Sequence, residues 1–324
     1  MAVCALMVVS ILAILSVHAA PVAAPSVKTI ALPSGSKSIS VASDGNYIYY
    51  GSYAYGHIYK VDPVAGTYQQ IYTAGADIHH WTSMTYWNGV GPYGNRAAGL
   101  YLVELGISNA TMSKPGNLYQ YHFSNSSLTL VATGIGSSQS SIIAASRCLQ
   151  YDSISGVCTR NQSFLHAASG NRFFIIEWLG DVSPGQKGWW TFPYNCASNT
   201  PLCSTGGTFA GITSDVNGNI YFTDRNAGKL FVWNAGSNSL ASYSGFTKPT
   251  GISVIGNVAY VAENIANGNI ASFSTQTNSI TGRVATNGAP FDVKNVGGIP
   301  VWSSNSTDHQ ICALQGACVN TSQA

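Results

Sequence analysis

Four carboxylates occupy similar places in the sequence, each directly after a short apolar run. Several acids gathered at one point can hold a hard divalent cation such as Ca²⁺ or Mg²⁺, or raise one another's pKa. If the apolar runs are equivalent strands, the four side chains point to one face and form such a site. The alternative is that each acid accepts hydrogen bonds from N–H groups of its own tight loop. The four residues are Glu104, Glu177, Asp224 and Glu263.

Two adjacent histidines and a tryptophan, His79, His80 and Trp81, form a second group that could carry chemistry. Imidazoles bind metals, and an indole ring stacks on sugars. Neighbouring side chains of a strand face opposite sides, so the two histidines are not expected to chelate one ion. We predict that His80 and Trp81 belong to a binding surface around one mouth of the fold. The other aromatic residues predicted to lie there are Tyr53, Tyr55, Tyr93 and Trp178.

The elements that hold these residues recur with a period near 40. One mark is a turn ending in Gly-Asn that opens an apolar strand, as in NGNIYFT at 217–223 and IGNVAYV at 255–261. The other mark is a glycine before a short aromatic strand, as at Gly228 and Gly268, which are 40 residues apart. Four short strands in about 40 residues are typical of one blade of a β-propeller.

The predicted fold is therefore all-β, a six-bladed β-propeller of four-stranded blades that occupies residues 20–324. The strand SVKTIALP at 26–33 is expected to join the incomplete last blade, which closes the ring and covers an exposed edge. Extra length in the second and third blades is expected in loops at 89–99 and around Cys148 to Cys158. A sandwich or β-helix competes with this prediction, but a sandwich does not predict a fixed period. The blades are expected at 36–77, 78–135, 136–206, 207–246, 247–287 and 288–324.

Composition excludes some classes of protein. Charged residues are only 8% of the chain, against about 25% in typical proteins. The 18 tyrosines, 11 phenylalanines and 7 tryptophans are more than a disordered chain contains. The net charge is +2 without a run of like charges, so the basic stripe that would neutralise phosphates is absent. Nucleic acid is therefore not expected as a partner.

The first 19 residues are predicted to be a signal peptide. The apolar run ALMVVSILAILSV at 5–17 is shorter than the roughly 20 residues that span a membrane, and small residues precede Ala20. No Lys or Arg precedes the run, so an uncleaved membrane anchor is the alternative. In either case the body is expected outside the cytosol, secreted into the extracellular space or held in the cell envelope.

Cysteines and sequons agree with that location. Removal of Cys4 with the signal peptide leaves an even set in three close pairs, which favours local disulfides. No pair has the C-x-x-C spacing of a zinc knuckle. The expected pairs are Cys148 with Cys158, Cys196 with Cys203, and Cys312 with Cys318. Five N-x-S/T sequons predict a glycosylated exterior: Asn109, Asn125, Asn161, Asn305 and Asn320.

Two segments carry a family resemblance: FAGITSDVNGNIYFTDRNAGKLFVW at 209–233 and PTGISVIGNVAYVAENIANGNIASF at 249–273. They resemble blades of the NHL, streptogramin-lyase and SMP-30/gluconolactonase-like propellers, a group that contains lyases, lactonases and binding modules. In the calcium-dependent lactonases, the resemblance implies Asn or Asp ligands at or beside the x of Pro-x-Gly. The matching residues here are Ala210, Thr250 and Phe291, and the histidine of the lyases has no counterpart.

The known catalytic sets are thus mostly missing, and the chain contains no G-x-S-x-G, H-E-x-x-H or P-loop motif. The sequence favours a secreted, glycosylated propeller that acts as an extracellular binding or interaction module. Its expected partner is a protein or a glycan, held by loops at one face. The alternative is a metal-dependent lyase or lactonase of the streptogramin-lyase/SMP-30 type, with the cation held by some of the four carboxylates.

Overall fold

Short antiparallel strands make up the regular structure of the protein, which confirms the all-β prediction. Within the described residues, no helix is long and apolar enough to cross a membrane. The computed structural model describes residues 38–313 except 63–64, 76–78, 88–98, 106, 109–112, 115, 137–140, 152–157, 170–171, 184–185, 194–208, 235–236, 238, 287 and 305–310. At 38–39, 107–108, 113–114, 136, 141–193, 304 and 311–313 it describes the backbone only.

The first two sheets follow the chain closely. The first sheet has the order β1-β2-β3-β4, formed by β1 (Ser38–Ser43), β2 (Ile48–Ser52), β3 (Ile58–Asp62) and β4 (Thr67–Tyr72). The chain continues through β5 (Trp81–Trp87), β6 (Gly99–Glu104), a short ribbon of β7 (Ile107–Ser108) and β8 (Ser113–Lys114), then β9 (Gly116–His122) and β10 (Ser127–Gly136). The second sheet has the order β10-β9-β6-β5, so the ribbon is an insertion between its second and third strands.

The later sheets repeat this arrangement. The third sheet consists of β11 (Ser141–Tyr151), β12 (Cys158–Ser169), β13 (Arg172–Ser183) and β14 (Gln186–Pro193). The fourth consists of β15 (Phe209–Ser214), β16 (Ile220–Asp224), β17 (Lys229–Asn234) and β18 (Ser239–Ser244). The next consists of β19 (Pro249–Ile255), β20 (Val258–Glu263), β21 (Asn269–Ser274) and β22 (Ser279–Ala285), and a three-stranded sheet follows, with β23 (Pro290–Val296), β24 (Ile299–Ser304) and β25 (Ile311–Ala313).

Contacts between the sheets are made chiefly by the first strand of each. Strand β1 contacts β5, β5 contacts β11, β11 contacts β15, β15 contacts β19, β19 contacts β23, and β23 returns to β1. The first strands are therefore innermost and surround a common axis. The protein is an all-β propeller of four-stranded antiparallel blades, and the predicted four-strand unit is confirmed.

Asparagine, aspartate and glycine form the turns between strands, as the recurrent Gly-Asn mark predicts. In the turn between β15 and β16, the Asp215 carboxylate accepts hydrogen bonds from the backbone N–H groups of Asn217 and Asn219, each at 2.9 Å. Gly218 in the same turn has a φ of 81°, which side chains other than glycine rarely tolerate. These local contacts set the register in which the apolar residues of β16 face the core.

The core lies between neighbouring sheets. Tyr221 and Leu230 of one sheet pack against Ile252, Val261 and Phe273 of the next, and all five are at most 4% exposed. Burial of such side chains is worth roughly 1.5 to 3 kcal/mol each. Each blade is therefore stabilised by its neighbours rather than by its own four strands.

Two predictions concern residues that the structure does not describe, and a third needs correction. Residues 1–19 and the strand expected at 26–33 are not among the described residues. The segment around Cys148 to Cys158 was expected to be a loop, but Cys148 lies within β11 and Cys158 begins β12. The extra length of the third sheet is therefore taken up, at least in part, by strands of 11 and 12 residues.

Candidate functional site

Three of the four predicted carboxylates end the second strand of their sheets. Glu104, Asp224 and Glu263 pair with Trp81, Phe209 and Pro249, the first residues of the innermost strands. We call the side of the propeller where the innermost strands begin the strand-start face. Equivalent positions of the repeat thus bring these three acids to one face, and all three are at most 2% exposed.

Asp224 and Glu263 are engaged in their own blades. The Asp224 carboxylate accepts hydrogen bonds from the backbone N–H groups of Asn226 and Ala227, at 3.0 and 2.9 Å. Glu263 accepts one from the N–H of Thr247 at 2.9 Å and forms an ion pair with Arg283 at 3.0 Å. Asp224 thus matches the loop-stabilising alternative considered from the sequence, whereas Glu263 contacts residues outside its own loop.

Glu104 differs from the other two because it contacts an imidazole. Its Oε2 accepts a hydrogen bond from Nδ1 of His79 at 2.8 Å. Its Oε1 accepts one from the side-chain amide of Asn117 at 2.8 Å and lies 3.3 Å from the hydroxyl of Tyr119. Asn117 was not predicted as a site residue, although the repeat contained a signal for it. The dipeptide Gly116-Asn117 recurs as Gly268-Asn269, and the side-chain amide of Asn269 donates a hydrogen bond to Glu263.

Glu177 does not share this position. It lies on β13, the third strand of its sheet, where it is paired with Trp190, whereas the sequence placed it after a second strand. No three His, Cys, Asp or Glu side chains among the described residues come together to hold a metal ion. Glu104, Asp224 and Glu263 therefore do not fit a shared cation, and a site that includes the Glu177 side chain stays a prediction.

The imidazole of His79 is held on three sides. It stacks on the Trp81 indole with a centroid distance of 4.6 Å, and the Tyr119 ring meets it edge-on at 4.9 Å. With Nδ1 donating to Glu104, the neutral form of the ring presents Nε2 as its acceptor, and the described residues provide Nε2 with no hydrogen-bond partner. The buried carboxylate thus fixes both the orientation and the tautomer of His79.

Trp81 does not belong to the exposed binding surface that the sequence predicted. Its side chain is fully buried, and its Nε1 donates a hydrogen bond to the carbonyl oxygen of Gly56 at 2.8 Å. It begins β5, where the first sheet covers it, so a ligand at the surface cannot reach the indole. Trp81 instead supports the ring of His79.

His80 faces a different partner from His79, and both residues lie just before β5. Its Nδ1 donates to the carbonyl oxygen of Tyr53 at 2.7 Å, and the two rings lie 4.9 Å apart. Beside them, the rings of Tyr55 and His57 stack at 5.9 Å, and Tyr55 is 44% exposed. We call these residues, Tyr53, Tyr55, His57 and His80, the tyrosine–histidine surface. Tyr93 lies outside the described residues, and Trp178 lies on β13, where only the backbone is described.

A charged pair that was not predicted from the sequence faces the axis of the propeller. Asp292 and Lys294 lie two residues apart on β23, and Nζ of Lys294 is 3.4 Å from Oδ1 of Asp292. The other Asp292 oxygen accepts the N–H of Val41 at 3.3 Å, which links the last described sheet to the first. Burial raises the pKa of Asp292, while Lys294 and the hydrogen bonds oppose that rise.

This pKa shift predicts a pH dependence of stability. A carboxyl group whose folded-state pKa is raised contributes stability at low pH that is lost as the pH rises above its usual value of 3.8. We expect the free energy of unfolding of the wild type, minus that of Asp292→Asn, to fall as the pH increases from 4 to 7. Urea denaturation of both proteins across this range measures the difference.

Asp44 provides the control of opposite sign. Burial alone would raise its pKa, but hydrogen bonds from Tyr47, Tyr49 and Asn46, together with Lys60, lower it. The difference between wild type and Asp44→Asn is therefore expected to fall on acidification below the usual value of 3.8, so its measurement extends to lower pH. If both stability differences changed with pH in the same direction, the raised pKa assigned to Asp292 would be contradicted.

Fold and site together define the class of this protein as a β-propeller, and solved structures support that class. An aldose sugar dehydrogenase from Streptomyces coelicolor in its PQQ-bound form is 12% identical with a TM-score of 0.55, over 90% of this chain and 99% of that one. A streptogramin B lyase is 12% identical with a TM-score of 0.53, over 88% and 96%. The virginiamycin B lyase of Staphylococcus aureus is 11% identical with a TM-score of 0.51, over 86% and 81%.

These similarities confirm the resemblance to the streptogramin-lyase group at the level of the fold. The identities are too low to transfer an activity, because one fold supports many functions. No protein-family model matches the sequence, and no curated protein sequence matches it significantly.

Proposed function

We propose that the chain forms a six-bladed propeller whose last blade is completed by the strand at 26–33. The proposal is supported by the closed circuit of contacts among the innermost strands, from β1 through β5, β11, β15, β19 and β23 back to β1. It is also supported by the final sheet, in which the described residues form three strands with β25 at the edge. An open edge invites pairing with another strand, and residues 26–33 are an apolar segment of the right length.

The proposed protein is secreted, with residues 1–19 as a cleaved signal peptide and with disulfides and glycans on its exterior. Asn125 supports this proposal because it is exposed in the turn between β9 and β10. Of the six cysteines, Cys148, Cys158 and Cys312 lie on strands with described backbone, and the other three lie outside the described residues.

The proposed function is extracellular binding of a glycan at the strand-start face. The observation that carries it is the tyrosine–histidine surface, where two tyrosine–histidine pairs are formed by the loop between β2 and β3 and by His80, just before β5. Aromatic rings offer flat apolar faces to the C–H groups of a sugar. Hydroxyl and imidazole groups at their edges can exchange hydrogen bonds with sugar hydroxyls.

The test is binding of the purified protein to a panel of immobilised neutral oligosaccharides, followed by calorimetry with the best binder. Tyr53→Ala and Tyr55→Ala are each expected to weaken binding about tenfold or more, because an aromatic stack contributes roughly 0.5 to 1.5 kcal/mol beyond its buried area. Tyr68→Ala is the matched control, since Tyr68 is 45% exposed, close to the 44% of Tyr55, but lies on β4. Wild-type affinity in both variants, or an equal loss with Tyr68→Ala, would contradict the proposal.

A second candidate function is catalysis of hydrolysis or elimination, with His79 as general base. The specific observation in its favour is the buried Glu104, which holds Nδ1 of His79 at 2.8 Å and leaves Nε2 as the proton acceptor. A carboxylate that orients an imidazole in this way is a common arrangement for proton transfer. In the blades of Asp224 and Glu263 the equivalent acid contacts no histidine, so this pair is not explained by the repeat alone.

A further inference from the structure

A cavity of about 210 Å³ lies on the axis, at the opposite end from the tyrosine–histidine surface. Its walls come from the last residues of the innermost strands, and we call this side the strand-end face. The polar residues that line it include Ser43, Thr85, Thr213, Ser253, Lys294 and Asn295. The volume can hold several water molecules or one small organic ion.

The position of Lys294 follows from the repeat. Counted from the first residues of their strands, Thr85, Thr213, Ser253 and Lys294 all occupy the fifth position. Three blades therefore place a hydroxyl at this level of the cavity, and β23 places an ammonium group there. Among the side chains that the structure describes, Lys294 is the only charged group that lines the cavity.

Among the described residues, the ammonium group of Lys294 has no well-aligned hydrogen bond. The residue is 8% exposed, and its Nζ has no hydrogen-bond partner among the described residues, although Asp292 lies at 3.4 Å. An ammonium group has three N–H donors, and leaving them unsatisfied in a buried place is unfavourable. Asp292 already accepts the N–H of Val41 with its other oxygen.

We propose that this cavity binds a small oxyanion on the hydroxyl groups of Thr213 and Ser253, with the enclosed ammonium group of Lys294 beside it supplying the positive charge. Hydroxyls and an ammonium group are all hydrogen-bond donors, and no described carboxylate lines the cavity to repel an anion. The volume excludes large ligands and favours a carboxylate of a few carbon atoms or an inorganic phosphate. This site is independent of the glycan-binding function proposed above, because it uses different residues at the other end of the axis.

Calorimetric titration of the full protein with sodium acetate and with sodium phosphate tests this proposal, with sodium chloride at matched ionic strength as the reference. We expect saturable binding of acetate or phosphate that chloride does not reproduce. Preference for acetate identifies the ligand class as a carboxylate, and preference for phosphate identifies it as an inorganic oxyanion. Lys294→Met, which keeps the length of the side chain but removes the charge, is expected to lower the affinity at least tenfold.

Two further variants keep the test decisive if Lys294→Met does not fold. Thr213→Val removes one hydroxyl at nearly constant volume and leaves the Asp292–Lys294 pair in place, and a several-fold loss of affinity is expected. Thr281→Val, on the exposed outer strand β22, is the matched control and is expected to bind as the wild type does. Wild-type affinity in Thr213→Val and in folded Lys294→Met, or heats equal to those of chloride, would overturn the proposal.

Discussion

Gly251→Ala is expected to lower the free energy of unfolding by about 3 kcal/mol, at the upper end of overpacking effects. A Cβ atom at this position would lie 2.6 Å from the backbone nitrogen of Val293 and 2.7 Å from the carbonyl oxygen of Phe291, and would also collide with Cα of Asp292. All three are backbone atoms of β23, so relief requires β19 and β23 to move apart. Urea denaturation measures this loss, provided that the free energy of unfolding depends on urea concentration with the same slope in both proteins.

Gly282→Ala is the matched control for this prediction. Gly282 also lies on a strand, β22, but no atom lies within 4 Å of the position where its Cβ would be built. A surface substitution of this kind usually changes stability by less than about 0.5 kcal/mol. If Gly251→Ala were as stable as Gly282→Ala, the close approach of the innermost strands around the axis would be wrong.

Glu104→Leu is expected to destabilise the protein by about 3 kcal/mol or more. The change removes the acceptor of Nδ1 of His79, of the Asn117 amide and of the Tyr119 hydroxyl, all at a site that is 1% exposed. Each buried donor left without a partner costs roughly 1 to 3 kcal/mol. Thermal and urea denaturation of the variant and the wild type measure the difference.

His79→Phe separates a structural role of this pair from a catalytic one. The phenyl ring keeps the stack on Trp81, and Glu104 keeps Asn117 and Tyr119, but Oε2 of the buried carboxylate loses its partner, so a loss of roughly 1 to 3 kcal/mol is expected. If His79 is a general base, any hydrolase or lyase activity of the wild type is lost in the folded variant. Retention of that activity in His79→Phe would rule out His79 as the base, and wild-type stability of Glu104→Leu would contradict the network itself.

The strands and turns of this protein were predictable because their chemistry is local. A turn such as Asp215 to Asn219 is held by hydrogen bonds between residues at most four positions apart, and Gly218 supplies the positive φ. Alternation of apolar residues then determines which side of a strand is buried. The equivalence of Glu104, Asp224 and Glu263 followed from the same repeat, since equivalent places in a repeat reach the same face.

Where the repeat is irregular, the sequence was insufficient. Glu177 follows an apolar run like those of the other acids, yet the long β11 and β12 precede it and place it on the third strand of its sheet. Trp81 has an aromatic side chain of the kind that often binds ligands, but contact with the first sheet buries it completely. Both outcomes depend on which strands become neighbours in the fold, and the sequence of a single strand does not determine its neighbours.

The amino-acid sequence alone determined the class of this protein, its four-stranded unit and the face at which three acids gather, because each depends on contacts within about 40 residues. Only the tertiary structure decided which cation lines the axis and which residues cover Trp81. Asp292 contacts Val41 across 251 positions, and Trp81 of the second sheet is covered by the first sheet. Such contacts exist only after the innermost strands have assembled around the axis, since packing between blades selects them.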